Sequence, residues 1–115
     1  MSGTVSIDLA SNAVNYYTPN ASSNWTLNFR GNGSTALNSM MAIGDSMTCA
    51  VLATQGGTPY YNNGYQIDGT NVTVKWTGGS APSGGNANSI DSYTYTIIKT
   101  ANATFTVLAS MQQYA

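Results

Sequence analysis

The stretch that decides the fold is IDSYTYTIIKTANATFTVLASM, Ile90 to Met111. From Ile90 to Lys99, Tyr93, Tyr95 and Ile97 share one face while Thr94, Thr96 and Ile98 share the other, which is the period of two that a strand with one buried face imposes. Ala101-Asn102-Ala103 then turns the chain into a final run. There Phe105, Val107, Ala109 and Met111 alternate with Thr104, Thr106, Leu108 and Ser110.

The same alternation recurs upstream. Val5, Ile7 and Leu9 alternate with Ser6 and Asp8, and Trp25, Leu27 and Phe29 alternate with Thr26 and Asn28. Met47, Cys49, Val51 and Ala53 form a third run, in which Leu52 on the opposite face points to burial on both sides; Val72, Val74 and Trp76 form a fourth. Turn-forming residues separate the runs: Gly31-Asn32-Gly33, Gly56-Gly57-Thr58-Pro59, and Asp68-Gly69, whose residue types both tolerate positive φ in a two-residue hairpin. The Gly- and Pro-rich stretch from Gly78 to Gly85 reads as a loop crossing between sheets. Glu is absent, and Ala36 to Ile43 has room for a turn or two of helix at most. The expectation is one all-β domain over residues 1–115, a β-sandwich of about seven or eight antiparallel strands, jelly-roll or Ig-like. Its core is expected to hold Ile7, Trp25, Leu27, Val51, Val74, Trp76, Phe105 and Val107, with Cys49 as a small buried hydrophobe.

Charge narrows the function classes. Only Arg30, Lys75 and Lys99 are basic and only Asp8, Asp45, Asp68 and Asp91 acidic, so 6% of residues are charged and the net charge is -1, against about 25% charged in an ordinary soluble domain. Three scattered cations make no phosphate-neutralising stripe, so no nucleic-acid partner is expected. A thin charge coat leaves association between copies nearly unopposed, and a homo-oligomer is expected. The opening residues Met1 to Leu9 contain no basic n-region and no long apolar run, so neither secretion nor a membrane partner is expected. On that route the Asn-x-Ser/Thr triplets beginning at Asn20, Asn24, Asn32, Asn71 and Asn102 stay unglycosylated.

Histidine is absent, which removes Ser-His-Asp and Cys-His chemistry together with the commonest metal ligand. Gly44-Asp45-Ser46 has the look of a hydrolase block without the base its serine needs, and it is read as a turn. The four Asp residues lie in four separate segments with no spacing of a glycosidase pair or an EF-hand, and Cys49 is a lone cysteine. No catalytic residue, cofactor or metal is expected. The segment Tyr60, Tyr61, Asn62, Asn63, Gly64 and Tyr65 is the candidate contact loop, because amphipathic Tyr rings with Asn and Gly have the composition of a binding surface for protein or glycan.

An ordered string of short motifs runs through the later two thirds of the chain. It comprises Thr54-Gln55-Gly56, Gln66-Ile67-Asp68-Gly69, Val74-Lys75-Trp76 followed by Gly78-Gly79 and Ala81-Pro82, Gly85-Asn86-Ala87-Asn88-Ser89-Ile90-Asp91 with Tyr93 and Tyr95, and Thr104 to Ala109. The string resembles a β module of virion structural proteins, tail-fibre-like or small head and appendage proteins, of marine and cyanobacterial tailed phages. The resemblance implies a non-enzymatic virion protein made in the host cytoplasm: a capsid decoration (cement) subunit or a tail fibre or appendage module. It would bind other virion proteins, with a trimer favoured. Fibre proteins carrying the module have a further attachment region, whereas this chain is nearly all module, so head and tail positions both stay open. The alternative is a carbohydrate-binding, receptor-recognition module that uses the Tyr/Asn loop as its stacking platform.

Overall fold

The computed structural model describes residues 1–115, arranged as two mixed β-sheets with very little helix. The strands in chain order are β1 (Gly3–Asp8), β2 (Val14–Tyr17), β3 (Trp25–Arg30), β4 (Ser46–Thr54), β5 (Asn62–Ile67), β6 (Thr70–Asn71), β7 (Val74–Trp76), β8 (Ile90–Ala101) and β9 (Thr104–Tyr114). The one α-helical turn, α1, spans Leu37–Met40, within the Ala36 to Ile43 stretch. One sheet has the order β1-β3-β5-β6 and the other β2-β4-β8-β9-β7.

Aromatic side chains join the two sheets face to face. Trp25 of β3 meets Tyr93 of β8 at a ring separation of 5.9 Å, and Phe29 meets Tyr95 at 5.1 Å, both edge to face. Offset and edge-on contacts of this kind suit the ring quadrupoles and add to the area they bury. Ile7, Trp25, Leu27, Val51 and Val107 are buried as expected, and Cys49 is buried with them. Val74, Trp76 and Phe105 sit only partly buried against this core.

The antiparallel expectation is corrected. The long hairpin β8–β9, the β4–β8 pair and the short β5–β6 hairpin are antiparallel. The pairs β1–β3, β3–β5, β2–β4 and β7–β9 are parallel, and the strands number nine. From β1 to β5 the chain passes alternately from one sheet to the other, so every second strand returns beside its predecessor in the same direction. Jelly-roll and Ig-like sheets are built from antiparallel neighbours, and this winding departs from both.

The 78–85 stretch is also corrected. β7 and β8 belong to the same sheet, so the loop between them does not cross. The crossing falls at Val72 and Thr73, between β6 in one sheet and β7 in the other, so the run read through Val72, Val74 and Trp76 is a strand only from Val74 onward. At the β5–β6 turn Asp68 and Gly69 both adopt positive φ, 51° and 79°, as a tight hairpin requires.

Candidate functional site

Strand β5 decides where the Tyr/Asn segment goes. Asn62 pairs with Trp25 and Gly64 with Thr26, so Asn63 is an extra residue that bulges out of the ladder. The bulge shifts the phase of alternation and turns Asn62, Tyr65 and Ile67 toward the core side, although Asn62 and Tyr65 are three residues apart.

Asn62 has no solvent exposure, and its polar atoms are used inside. Its Nδ2 donates to the carbonyls of Trp25 and Gly64, both at 2.9 Å, and its Oδ1 accepts from the Tyr95 hydroxyl at 2.7 Å. The Tyr65 hydroxyl donates to the Asn62 carbonyl at 2.7 Å, and the Tyr65 ring packs 5.8 Å from Trp76. Burial raises the hydroxyl pKa of Tyr65, Tyr93 and Tyr95 above the ordinary tyrosine value, and neighbouring tyrosines add to the shift. Asn62 and Tyr65 therefore form part of the core wall. Tyr60 and Tyr61 are half-buried and Asn63 is exposed, so the surface part of the segment is Tyr60, Tyr61 and Asn63. The Tyr61 amide donates to Asn24 Oδ1 at 3.0 Å, which fixes the backbone of this surface part.

The charged residues have internal tasks. Asp8 and Arg30, neighbours across β1 and β3, form an ion pair at 2.6 Å. The Asp68 carboxylate accepts the backbone amides of Leu37 and Asn38 at 2.7 and 3.0 Å, capping from a distance a helix whose own N-cap residue supplies no side chain. At the other end of α1 the buried Lys99 ammonium donates to the carbonyls of Asn38 and Met41 at 2.7 and 2.9 Å. Carboxylate at the amide end and ammonium at the carbonyl end match the helix dipole. Asp45 accepts the Ala42 amide at 2.9 Å. No three acidic or cysteine side chains come together in one place.

Asp91 is the one charged side chain with no solvent exposure at all. Its carboxylate accepts from Gln55 Nε2 at 3.0 Å, the Asn86 amide at 3.0 Å and Asn86 Nδ2 at 2.8 Å. Gln55 in turn grips the Tyr60 backbone through both ends of its amide. The carboxylate thus ties the loop between β7 and β8 to the end of β4 and to the Tyr60 segment. Gly85 sits so close to the Tyr60 carbonyl that a Cβ would overlap it, so only glycine allows this approach. Two segments of the motif string meet at this clamp, Gln55 from Thr54-Gln55-Gly56 and Asn86 and Asp91 from the Gly85 to Asp91 segment. Sequence reasoning placed Asp91 in a strand but gave it no partner, because Gln55 lies 36 residues away.

Two surface features bear on function. At the edge of its sheet β2 presents Val14 and Tyr16, 63% and 53% exposed, and carries no charge. Along β9 a cleft of about 440 Å³ opens between Trp76, Pro82 and Met111. No helix is long and apolar enough to cross a membrane. No family model, curated protein or solved structure matches the chain.

Proposed function

We propose that the chain is a β-sandwich module that acts as a non-enzymatic virion structural protein, a capsid decoration subunit or a fibre or appendage module of a tailed phage. The proposal rests on the phage-module resemblance for its setting and on one structural observation for its mechanism. Six of the seven charged side chains are engaged within the chain, which leaves Lys75 as the one without a partner. The β2 edge meanwhile exposes unpaired backbone beside Val14 and Tyr16. Edges that must stay solitary are kept very short or carry lysine, proline or inward charges; β2 is short, at four residues, but carries none of those side chains. An uncharged edge with two apolar side chains is a surface that gains by pairing with a neighbouring strand.

The partners in this reading are further copies of the chain, as a trimer, and adjacent virion proteins. Sedimentation equilibrium on the parent protein and on a Val14→Lys/Tyr16→Lys double variant tests the edge, with mass spectrometry of purified virions to count copies. The parent should self-associate, or bind virions, and the double variant should do neither while keeping its fold. A 12.0 kDa monomer at high concentration together with absence from purified virions would reject the proposal.

A further inference from the structure

We infer that the cleft between the β7–β8 loop and the end of β9 is a binding site for a neutral saccharide unit, with Trp76 as its stacking surface. The site arises from a mismatch in strand length. β7 stops at Trp76 after three residues, opposite Ala109, whereas β9 runs on to Tyr114. Beyond Trp76 the chain leaves the sheet and does not pair again until Ile90. Apart from a 3-10 turn at Thr77–Gly79 this connection has no regular structure, and long connections of that kind inside a small compact fold are uncommon and enriched in binding roles.

This loop is held at both ends. Thr77 Oγ1 donates to the Ala109 carbonyl at 3.1 Å, and Asn86 is fixed on the buried Asp91 carboxylate. A buried carboxylate is costly to desolvate, and here it serves to fix a loop whose composition of Gly, Ser and Pro otherwise makes it mobile. A loop ordered beforehand loses less entropy when a ligand arrives.

The surface clefts of the chain, about 380 to 540 Å³, all fall within the roughly 300 to 1,000 Å³ of small-molecule sites, and this one, at about 440 Å³, is set apart by its lining. Its apolar part is Trp76, Pro82 and Met111, and its polar part includes Ser80, Ser110 and Gln112. The two serine hydroxyls and the Gln112 amide nitrogen have no partner within the chain, and Gln112 Oε1 accepts only from Tyr114. Hydroxyls donate and accept, and the amide nitrogen donates, so the set complements a ligand carrying several hydroxyls. An indole beside them complements the apolar C–H face of a pyranose ring.

No charged side chain lines the cleft, which disfavours acidic sugars and nucleotides. The stretch of β9 beyond its pairing with β7 that lines the cleft is Ser110 to Gln112, too short to hold an added peptide strand by a ladder of backbone bonds. A compact, neutral, hydroxyl-rich ring is the occupant these features describe. None of Tyr60, Tyr61 and Asn63 lines the cleft, and the site does not depend on the virion proposal.

The test titrates the protein with glucose, galactose, mannose and N-acetylglucosamine while following tryptophan fluorescence. Trp25 is buried, so a ligand-dependent change reports Trp76. In parallel, labelled protein is applied to an immobilised array of neutral and uronic-acid-terminated glycans. Saturable binding to a neutral sugar is expected, with neutral termini preferred on the array. Ser110→Ala and Gln112→Ala should each weaken it about fivefold, the loss of one hydrogen bond, with unchanged thermal melting. Trp76→Phe, which keeps an aromatic ring against Tyr65 and Tyr95, should also bind less tightly. Tyr61→Ala and Lys75→Ala should bind like the parent. Four results would each overturn the inference: no saturable response together with a blank array, binding untouched by Ser110→Ala and Gln112→Ala, a preference for acidic glycans, or loss of binding in Tyr61→Ala.

Discussion

Replacing Asp91 with alanine pits two large effects against each other at one site. The carboxylate is fully buried and accepts three hydrogen bonds, from Gln55 Nε2, the Asn86 amide and Asn86 Nδ2. Hydrogen bonds to a charged acceptor contribute about 1.5 to 3 kcal/mol each, which sums to roughly 5 to 9 kcal/mol. Against this stands the cost of burying an ionised carboxylate, several kcal/mol after relaxation. Truncation removes both quantities. It also strands donors unequally: Gln55 Nε2 keeps the Tyr60 carbonyl, while the Asn86 groups lie in a part-buried loop that water can reach. The net expected loss is about 2 to 4 kcal/mol. With a urea m-value of about 1 to 2 kcal/mol/M for a chain of this size, the unfolding midpoint should fall by about 2 M. Hydrogen exchange localises the effect, because the amides from Thr77 to Ser89 should lose protection first while those of β8 and β9 keep theirs. Asp91→Asn should fall between the parent and Asp91→Ala, since one oxygen survives as an acceptor. An Asp91→Ala protein with the parent's midpoint and unchanged exchange in the loop would show that desolvation cancels the clamp and that the loop is ordered by something else.

The two tryptophans should behave differently: Trp25→Ala should cost about 3 to 5 kcal/mol as a fully buried aromatic, and Trp76→Ala, only partly buried, distinctly less; equal losses in urea unfolding would refute this ranking. Cys49 is buried, and desolvation pushes its thiol up to about 12, so a thiol reagent at pH 8 should label it only after denaturation; fast native labelling would contradict its place in β4. Tyr93 and Tyr95 are buried with raised pKa values, so the folded state holds their protons more tightly than the unfolded state does. Their stabilising contribution is complete below about pH 10 and is lost above it at about 1.4 kcal/mol per pH unit for each group. The share of the phenolate absorbance that belongs to Tyr93 and Tyr95 should therefore appear in one step with unfolding, and its gradual appearance near pH 10 in the folded protein would speak against the buried pair.

Local pattern was enough for much of the fold. The runs in β1, β3, β8 and β9 alternate, as does β4 apart from Leu52, and alternation is a property that neighbouring residues carry without knowing their partner. The Asp68-Gly69 hairpin, the buried Cys49 and the short helical turn were legible for the same reason. β2 was not, because its side chains invert the usual code: Val14 and Tyr16 face solvent while Asn15 and Tyr17 are half-buried. β5 hides behind the loop composition of Asn62-Asn63-Gly64. Its inward Asn62 is satisfied by Trp25 and Tyr95, 37 and 33 residues away, and its phase is shifted by a bulge that only pairing with β3 creates.

The same division holds for the candidate sites. The motif residues Gln55, Trp76, Pro82, Asn86 and Asp91 were visible one by one, but the clamp and the cleft exist only once β4, β7, β8 and β9 are laid together. Alternation and turn residues by themselves determined an all-β chain, and composition one with few charges. Strand direction, sheet membership and the task of each charge were decided by tertiary structure, because a strand's face is set by its own side chains whereas its partner and direction are set by the path of the connections between the two sheets.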